Sequence, residues 1–264
     1  MKRSVRNRLG DLLLEAFADP EKRAAIAWLG RFCDLAAGRD RPEVSLADLL
    51  AEQPPALSGM DYRVEAAFAH LVGSEKLLQF RCPETGEMLT ARMPTQIEGP
   101  AWLVGLQSDV RTAFAAICER ARIYANLAAH MGEGNAISAS GDPLRKAMAE
   151  AAMCFNAGLF FEAHEHLEHH WAAQPKGPTK RFLQGIIQIS VGFHHAHSGN
   201  YEGAVNQLAK GLEKTIGTTG EMFGLGHDAF LPKVAAVREA IVRRGRAQMR
   251  PLLLAEIPRM LIRG

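Results

Sequence analysis

Apolar residues recur at helical spacing over most of the chain. Leu9, Leu12, Leu13, Ala16 and Phe17 form one such stripe. Asp19-Pro20-Glu21 then supplies an N-cap, a proline at the first helical position and an acid facing the helix dipole. The helix it opens carries Ala25, Trp28, Leu29, Phe32 and Leu35 on one side and stops at Gly38. Ser45 caps a short helix over Leu46 to Glu52, and a third helical pattern covers Tyr62 to Val72. At Lys76 the period changes. Leu77 to Cys82 and Met88 to Met93 read as extended segments around the turn Pro83-Glu84-Thr85-Gly86, and Ala101 to Leu106 is a third strand-like run. Helical spacing returns from Asp109 to Ala129.

Gly132-Glu133-Gly134-Asn135 through Ser140-Gly141 reads as a linker, and everything after it is helical. Asp142-Pro143 opens a helix with Leu144, Ala147, Met148, Ala151 and Phe155 on one side. Further helices are predicted over Leu159 to Ala173, Pro178 to Ser198, Tyr201 to Ile216 and Asp228 to Met249. The joints around Asn156-Ala157-Gly158 and Gly199-Asn200 are similar to tetratricopeptide hairpins, although two joints make no repeat array. The pattern predicts a mainly α protein: a small α+β domain over 1–132, followed by an all-α helical bundle over 141–264.

Composition describes an ordinary globular chain: 264 residues, 47% hydrophobic, 23% charged, formal net charge +2. No apolar run is long enough for a membrane span, and no basic recognition helix points to nucleic acid. Lys233 onward carries eight basic residues against two acidic, read as a solvated helix face. Cys33, Cys82, Cys118 and Cys154 are widely spaced, with no C-x-x-C pair. They are expected to be reduced structural thiols of a cytoplasmic protein.

The densest chemistry lies in Phe160 to Trp171, which holds four of the ten histidines and three carboxylates. At about 100° per residue, His164 and Glu168 fall in the apolar stripe with Phe160, Leu167 and Trp171. Glu162, His166, His169 and His170 point the other way, toward solvent, and Glu165 lies on the border. In the next helix Phe182, Ile186, Ile189 and Phe193 form one apolar face, while Gln184, Gln188 and His195 share the other with Ile187 and Val191. A helix apolar on both sides is central in its bundle. Its glutamines and histidine need partners, and His164 and Glu168 are the natural ones.

Two readings follow. His164, Glu168 and His195 could hold a divalent metal such as Zn or Fe in a hydrolase or oxygenase. There Glu165 or Glu168 would be the base, and Gln184 and Gln188 would orient a substrate. Alternatively these residues form a hydrogen-bonded seam in a non-catalytic module that binds a small molecule or a protein. The i, i+4 His–Glu pair is not the H-E-x-x-H metalloprotease pattern, which favours the second reading.

Two resemblances bear on this. Phe155-Asn156-x-Gly158-x-Phe160-x-Glu162-Ala163-His164-Glu165-x-Leu167-Glu168-x-x-Trp171, with Gln184-Gly185-x-Ile187-Gln188, His195 and Gly199-Asn200-x-x-Gly203-Ala204, resembles the family of domain of unknown function 309. The likeness covers about Asp142 to Ile216. It implies a compact helical bundle and no activity, and His194 is an alternative to His195 for the signature histidine. Phe68-x-x-Leu71-x-Gly73, Cys82-x-x-Thr85-Gly86, Pro94, Ile97, Pro100 and Asp109-Val110-Arg111 before Phe114 resemble the organomercurial lyases. That family's two catalytic cysteines fall on Asp61 and Ala115 and its aspartate on Val64, so this resemblance implies the fold without the lyase chemistry.

Overall fold

The computed structural model describes residues 3–94, 101–131, 141–218 and 220–263. The expected linker lies largely outside them, as do Ile97 and Pro100. The chain forms two compact units, Met1–Gly132 and Glu133–Gly264. It is mainly α, with ten α-helices and one small sheet among the described residues.

In the first unit, α1 (Arg3–Ala16) and α2 (Pro20–Ala36) are joined by Asp19, whose carboxylate accepts from the Glu21 and Lys22 amides at 2.8 and 3.2 Å. Ser45 caps α3 (Leu46–Leu50). Helix α4 (Val64–Ala69) runs into a π turn over His70–Ser74, and α5 (Phe114–His130) closes the unit. The sheet is antiparallel, in the order β1 (Glu43–Ser45), β4 (Leu103–Leu106), β2 (Leu78–Arg81), β3 (Met88–Leu89). Strand β1 was not read from the sequence: three residues with one buried side chain, Val44, are too short to show a period of two. Trp28, Phe68 and Phe80 stack between helices and sheet with centroids 5.8 and 5.9 Å apart. At the β2–β3 turn the Thr85 hydroxyl and the Thr85 and Glu84 amides donate to Cys82 Sγ, which lowers its pKa.

One expectation fails here. Cys33 on α2 and Cys118 on α5 form a disulfide, with Cα atoms 5.1 Å apart. Their separation of 85 positions along the chain hides the pairing in the sequence. What creates it is the close approach of the two helices at Gly30, where a Cβ would lie 2.9 Å from that of Ala125. Thiol state therefore no longer argues for the cytoplasm. Cys82 and Cys154 are free and buried.

The second unit is a bundle in which each helix packs on the next: α6 (Pro143–Asn156), α7 (Phe160–Ala172), α8 (Pro178–His197), α9 (Tyr201–Lys214) and α10 (His227–Arg244). Asp142 caps α6 and Asn200 caps α9. Gly158 and Gly199, at φ +79° and +73°, make the tight joints that a side chain would strain. Phe155 is the hub of the core, with the rings of Phe160, Phe193 and Phe230 edge-on at 4.9, 5.6 and 5.8 Å. Gly245, at φ +75°, ends α10, so the predicted extension to Met249 becomes a short 3₁₀ turn. The tail is tied back: Asn156 exchanges two 2.8 Å hydrogen bonds with the Met260 backbone, and the Leu252 amide donates to Ala196 O. Arg250 forks onto Glu256 and, with the Leu253 amide, holds that carboxyl down at about 2.

The tightest contact joins α8 to α9. A Cβ on Gly211 would lie 2.7 Å from Gly185 O, and one on Gly192 would lie 2.7 Å from the Leu208 side chain. Gly185 meets Gly211 O in the same way, at 2.9 Å. Among the described residues no helix is long and apolar enough to cross a membrane.

Gly211→Ala is expected to destabilise the protein by about 1–2 kcal/mol, because the overpacking cost exceeds the roughly 1 kcal/mol gained in helix propensity. Urea unfolding measures this; unchanged or increased stability would contradict the close contact. For the cysteines, alkylation in denaturant should modify two thiols before reduction and all four after it, read by intact mass.

Candidate functional site

Helix α7 lies between α6 and α8 in the packing order and carries polar side chains toward both. It starts after the Gly158 turn without a side-chain cap; Leu159 O accepts from the Ala163 amide instead. Glu162 in the first turn faces the free amides and positive dipole of the N-terminus, which helps to offset its complete burial.

On the α8 side, two contacts set the antiparallel register. The Phe161 and His194 rings stand 6.1 Å apart, and Lys180 Nζ lies 4.8 Å above the Trp171 ring. Between these contacts fall His164, Glu165 and Glu168 of α7 and Gln184 and Gln188 of α8. His164 Nδ1 lies 2.7 Å from Phe161 O. A carbonyl can only accept, so Nδ1 carries the proton and the neutral ring presents a lone pair at Nε2. That atom is 3.4 Å from Glu165 Oε1 and 3.6 Å from Glu168 Oε2. Together the three residues offer ligand atoms within 4.8 Å of one another. Trp171 Nε1 on α7 and Gln188 Oε1 on α8 are buried atoms with no hydrogen-bond partner.

His195 is not brought to this group. Its ring packs on Gly203, and Asn200 Nδ2 lies 3.2 Å from its Nδ1. His194 occupies the position facing α7 instead. The predicted phase of α7 also needs correcting. Glu168 is exposed, its side chain 52% accessible, whereas Glu162 is fully buried and His166 is only 12% accessible.

The reason lies in the α6 side. His166 Nε2 is 2.9 Å from Glu150 Oε2 on α6, and the rings of His166 and His170 meet edge-on at 5.4 Å. Burial and the charges of Glu162 and Glu150 push the Cys154 thiol well up, which places Cys154 in the same seam and leaves it a poor nucleophile. Burial, then His166 and His169, lower the pKa of His170 from its ordinary 6.5. Only His169, exposed, keeps the solvent position expected for all three.

A second group, Asp19, Glu21 and His70, gathers in the first unit. Asp19 is already committed to capping α2 and Glu21 to Arg63 at 3.0 Å.

One comparison with known proteins falls on the same helices. Residues 148–207 match the model of the Domain of unknown function (DUF309). The DUF309 match spans α7 and α8 whole and so includes His164, Glu165, Glu168, Trp171, Gln184, Gln188 and His195. The chain is also similar to the "Uncharacterized protein YpuF" of Bacillus subtilis (strain 168). The two are 32% identical over 84 residues, which is 31% of this chain. The alignment spans about half of that relative, 48% of its length. No solved structure matches. The organomercurial-lyase resemblance of the N-terminal half finds no support in these comparisons.

The His170 shift makes stability depend on pH. Its folded pKa lies below the unfolded value of 6.5, so on acidification the unfolded chain takes up a proton first. Stability present above about pH 6.5 should be lost as the pH falls through that value toward the folded pKa. Urea unfolding between pH 7.5 and 5 checks this: His170→Gln should flatten the acid slope, and an identical slope would refute it.

Proposed function

We propose that the C-terminal unit is a ligand-binding module whose α7–α8 groove takes a divalent transition-metal ion, of the zinc or ferrous class, at His164, Glu165 and Glu168. The observation that carries this reading is the Phe161 carbonyl on His164 Nδ1. A hydrogen bond on one ring nitrogen fixes the tautomer and aims the other at a metal, as carbonyl and carboxylate partners do for ligating histidines generally. The aimed nitrogen here meets two carboxylate oxygens within 3.6 Å. One imidazole and two carboxylates leave coordination positions open toward solvent. The module is a binder in this reading: His195, the third ligand of the hydrolase or oxygenase alternative, packs on Gly203 instead.

Tag-free protein titrated with zinc, and with ferrous iron under argon, should bind an equivalent that is lost or weakened at least about tenfold in His164→Ala and in Glu168→Ala. His195→Ala should leave it in place. Binding unaffected by His164→Ala, or lost equally in His195→Ala with the fold intact, would overturn the assignment.

A further inference from the structure

The opposite face of α7 holds a second set of ligand-type side chains, independent of the His164 group. Glu162, His166 and His170 follow one another at four-residue spacing and so share one side of the helix. Across from them α6 contributes Glu150 and Cys154. Glu162 is fully buried, and the side chains of Glu150 and His166 are 13% and 12% accessible. Lys146 supplies a nearby ammonium, 3.7 Å from Glu150, but it is 43% accessible and sits at the seam's edge. The seam therefore gathers two carboxylates and two imidazoles, all ligand-type side chains, where α6 meets α7.

We propose that Glu150, His166 and His170 form a metal site of two imidazoles and one carboxylate, taking a borderline transition-metal dication such as zinc between α6 and α7. Two histidines at i, i+4 on one helical face are the spacing by which helices bind zinc. Imidazole with carboxylate is a donor set that suits zinc, nickel or copper over magnesium or calcium. The proton that His166 Nε2 shares with the Glu150 carboxylate at 2.9 Å marks where the ion goes: a dication in its place bridges the same two groups. The His170 ring, edge-on at 5.4 Å, has to turn to complete the set. The Glu162 carboxylate lies one turn before His166 and contributes negative charge to the seam without having to ligate. Its charge, like that of Glu150, already acts on the Cys154 thiol. His169 stands outside on the exposed face, with its ring 5.5 Å from His170.

The experiment uses tag-free full-length protein carrying His164→Ala and Glu168→Ala, which removes the α7–α8 group and keeps the two proposals separable. Zinc titration by calorimetry should still find one equivalent. Adding His170→Gln should weaken it by more than about a hundredfold, beyond the roughly ten- to hundredfold that loss of an outer-shell partner costs. His169→Gln should leave it unchanged. Cobalt in place of zinc should give visible bands that disappear with His166→Gln or His170→Gln, a readout that does not depend on stability. His170 is only partly buried, so its variant keeps the test valid if His166→Gln fails to fold. Equal binding in the His170→Gln variant, loss in the His169→Gln variant, or uptake only at millimolar zinc would each overturn the site and mark the histidines as adventitious ligands.

Discussion

The second unit depends on how closely α8 can approach α9. Gly185 and Gly211 put each helix's backbone against the other's carbonyl oxygen, and Gly192 receives Leu208. Such a contact gives up helix propensity, about 1 kcal/mol for each glycine relative to alanine. In return it brings two backbones together over several turns at native packing density. It also explains why α8 can be apolar nearly all round. One side is consumed by α9, and on the other Phe193 packs on Phe155 of α6 and Phe160 of α7. Of the polar side chains of α8, Lys180 and His194 reach α7, whereas His195 packs on Gly203 of α9.

Much of this was legible beforehand, because caps and helix stops are local. Asp19-Pro20, Ser45, Asp142-Pro143 and Asn200 announce their helices, and each of these four side chains accepts an amide hydrogen bond as its residue type requires. Elements whose existence is set by distant partners were not legible. Strand β1 exists because Glu43–Ser45 pairs with Leu103–Gly105, and the Cys33–Cys118 bond because α2 and α5 touch at Gly30. Nor does a single sequence say which glycines of α8 and α9 face each other.

The candidate site failed more instructively. The large side chains of Phe160, Leu167 and Trp171 suggest a stripe centred on His164. The fully buried apolar residues of α7 are Phe160, Ala163 and Leu167, which moves the centre by about 65° toward Ala163. A small residue marks the point of closest approach better than a large one, since helices meet where side chains are short and aromatic rings reach in from the flanks. The shift moves Glu168 out and brings His166 and His170 in. It does not account for Glu162, which lies on the far side of the wheel. That carboxylate is buried because α6 covers a second face, and a single amphipathic stripe cannot represent a helix with two neighbours.

The consequence is a division of labour along one short helix. Residues 164, 165 and 168 belong to a rim that is half open to solvent, where a ligand could enter without disturbing the core. Residues 162, 166 and 170 face α6, with Glu162 fully buried, His166 nearly so and His170 partly exposed. The two differ in what holds them. On the rim a backbone carbonyl three residues away fixes the histidine, so its orientation survives any change in α8. In the seam a carboxylate from another helix fixes it, so its orientation is coupled to the α6–α7 contact. A ligand at the rim would thus be sensed locally, whereas a charge change in the seam acts on how α6 and α7 pack.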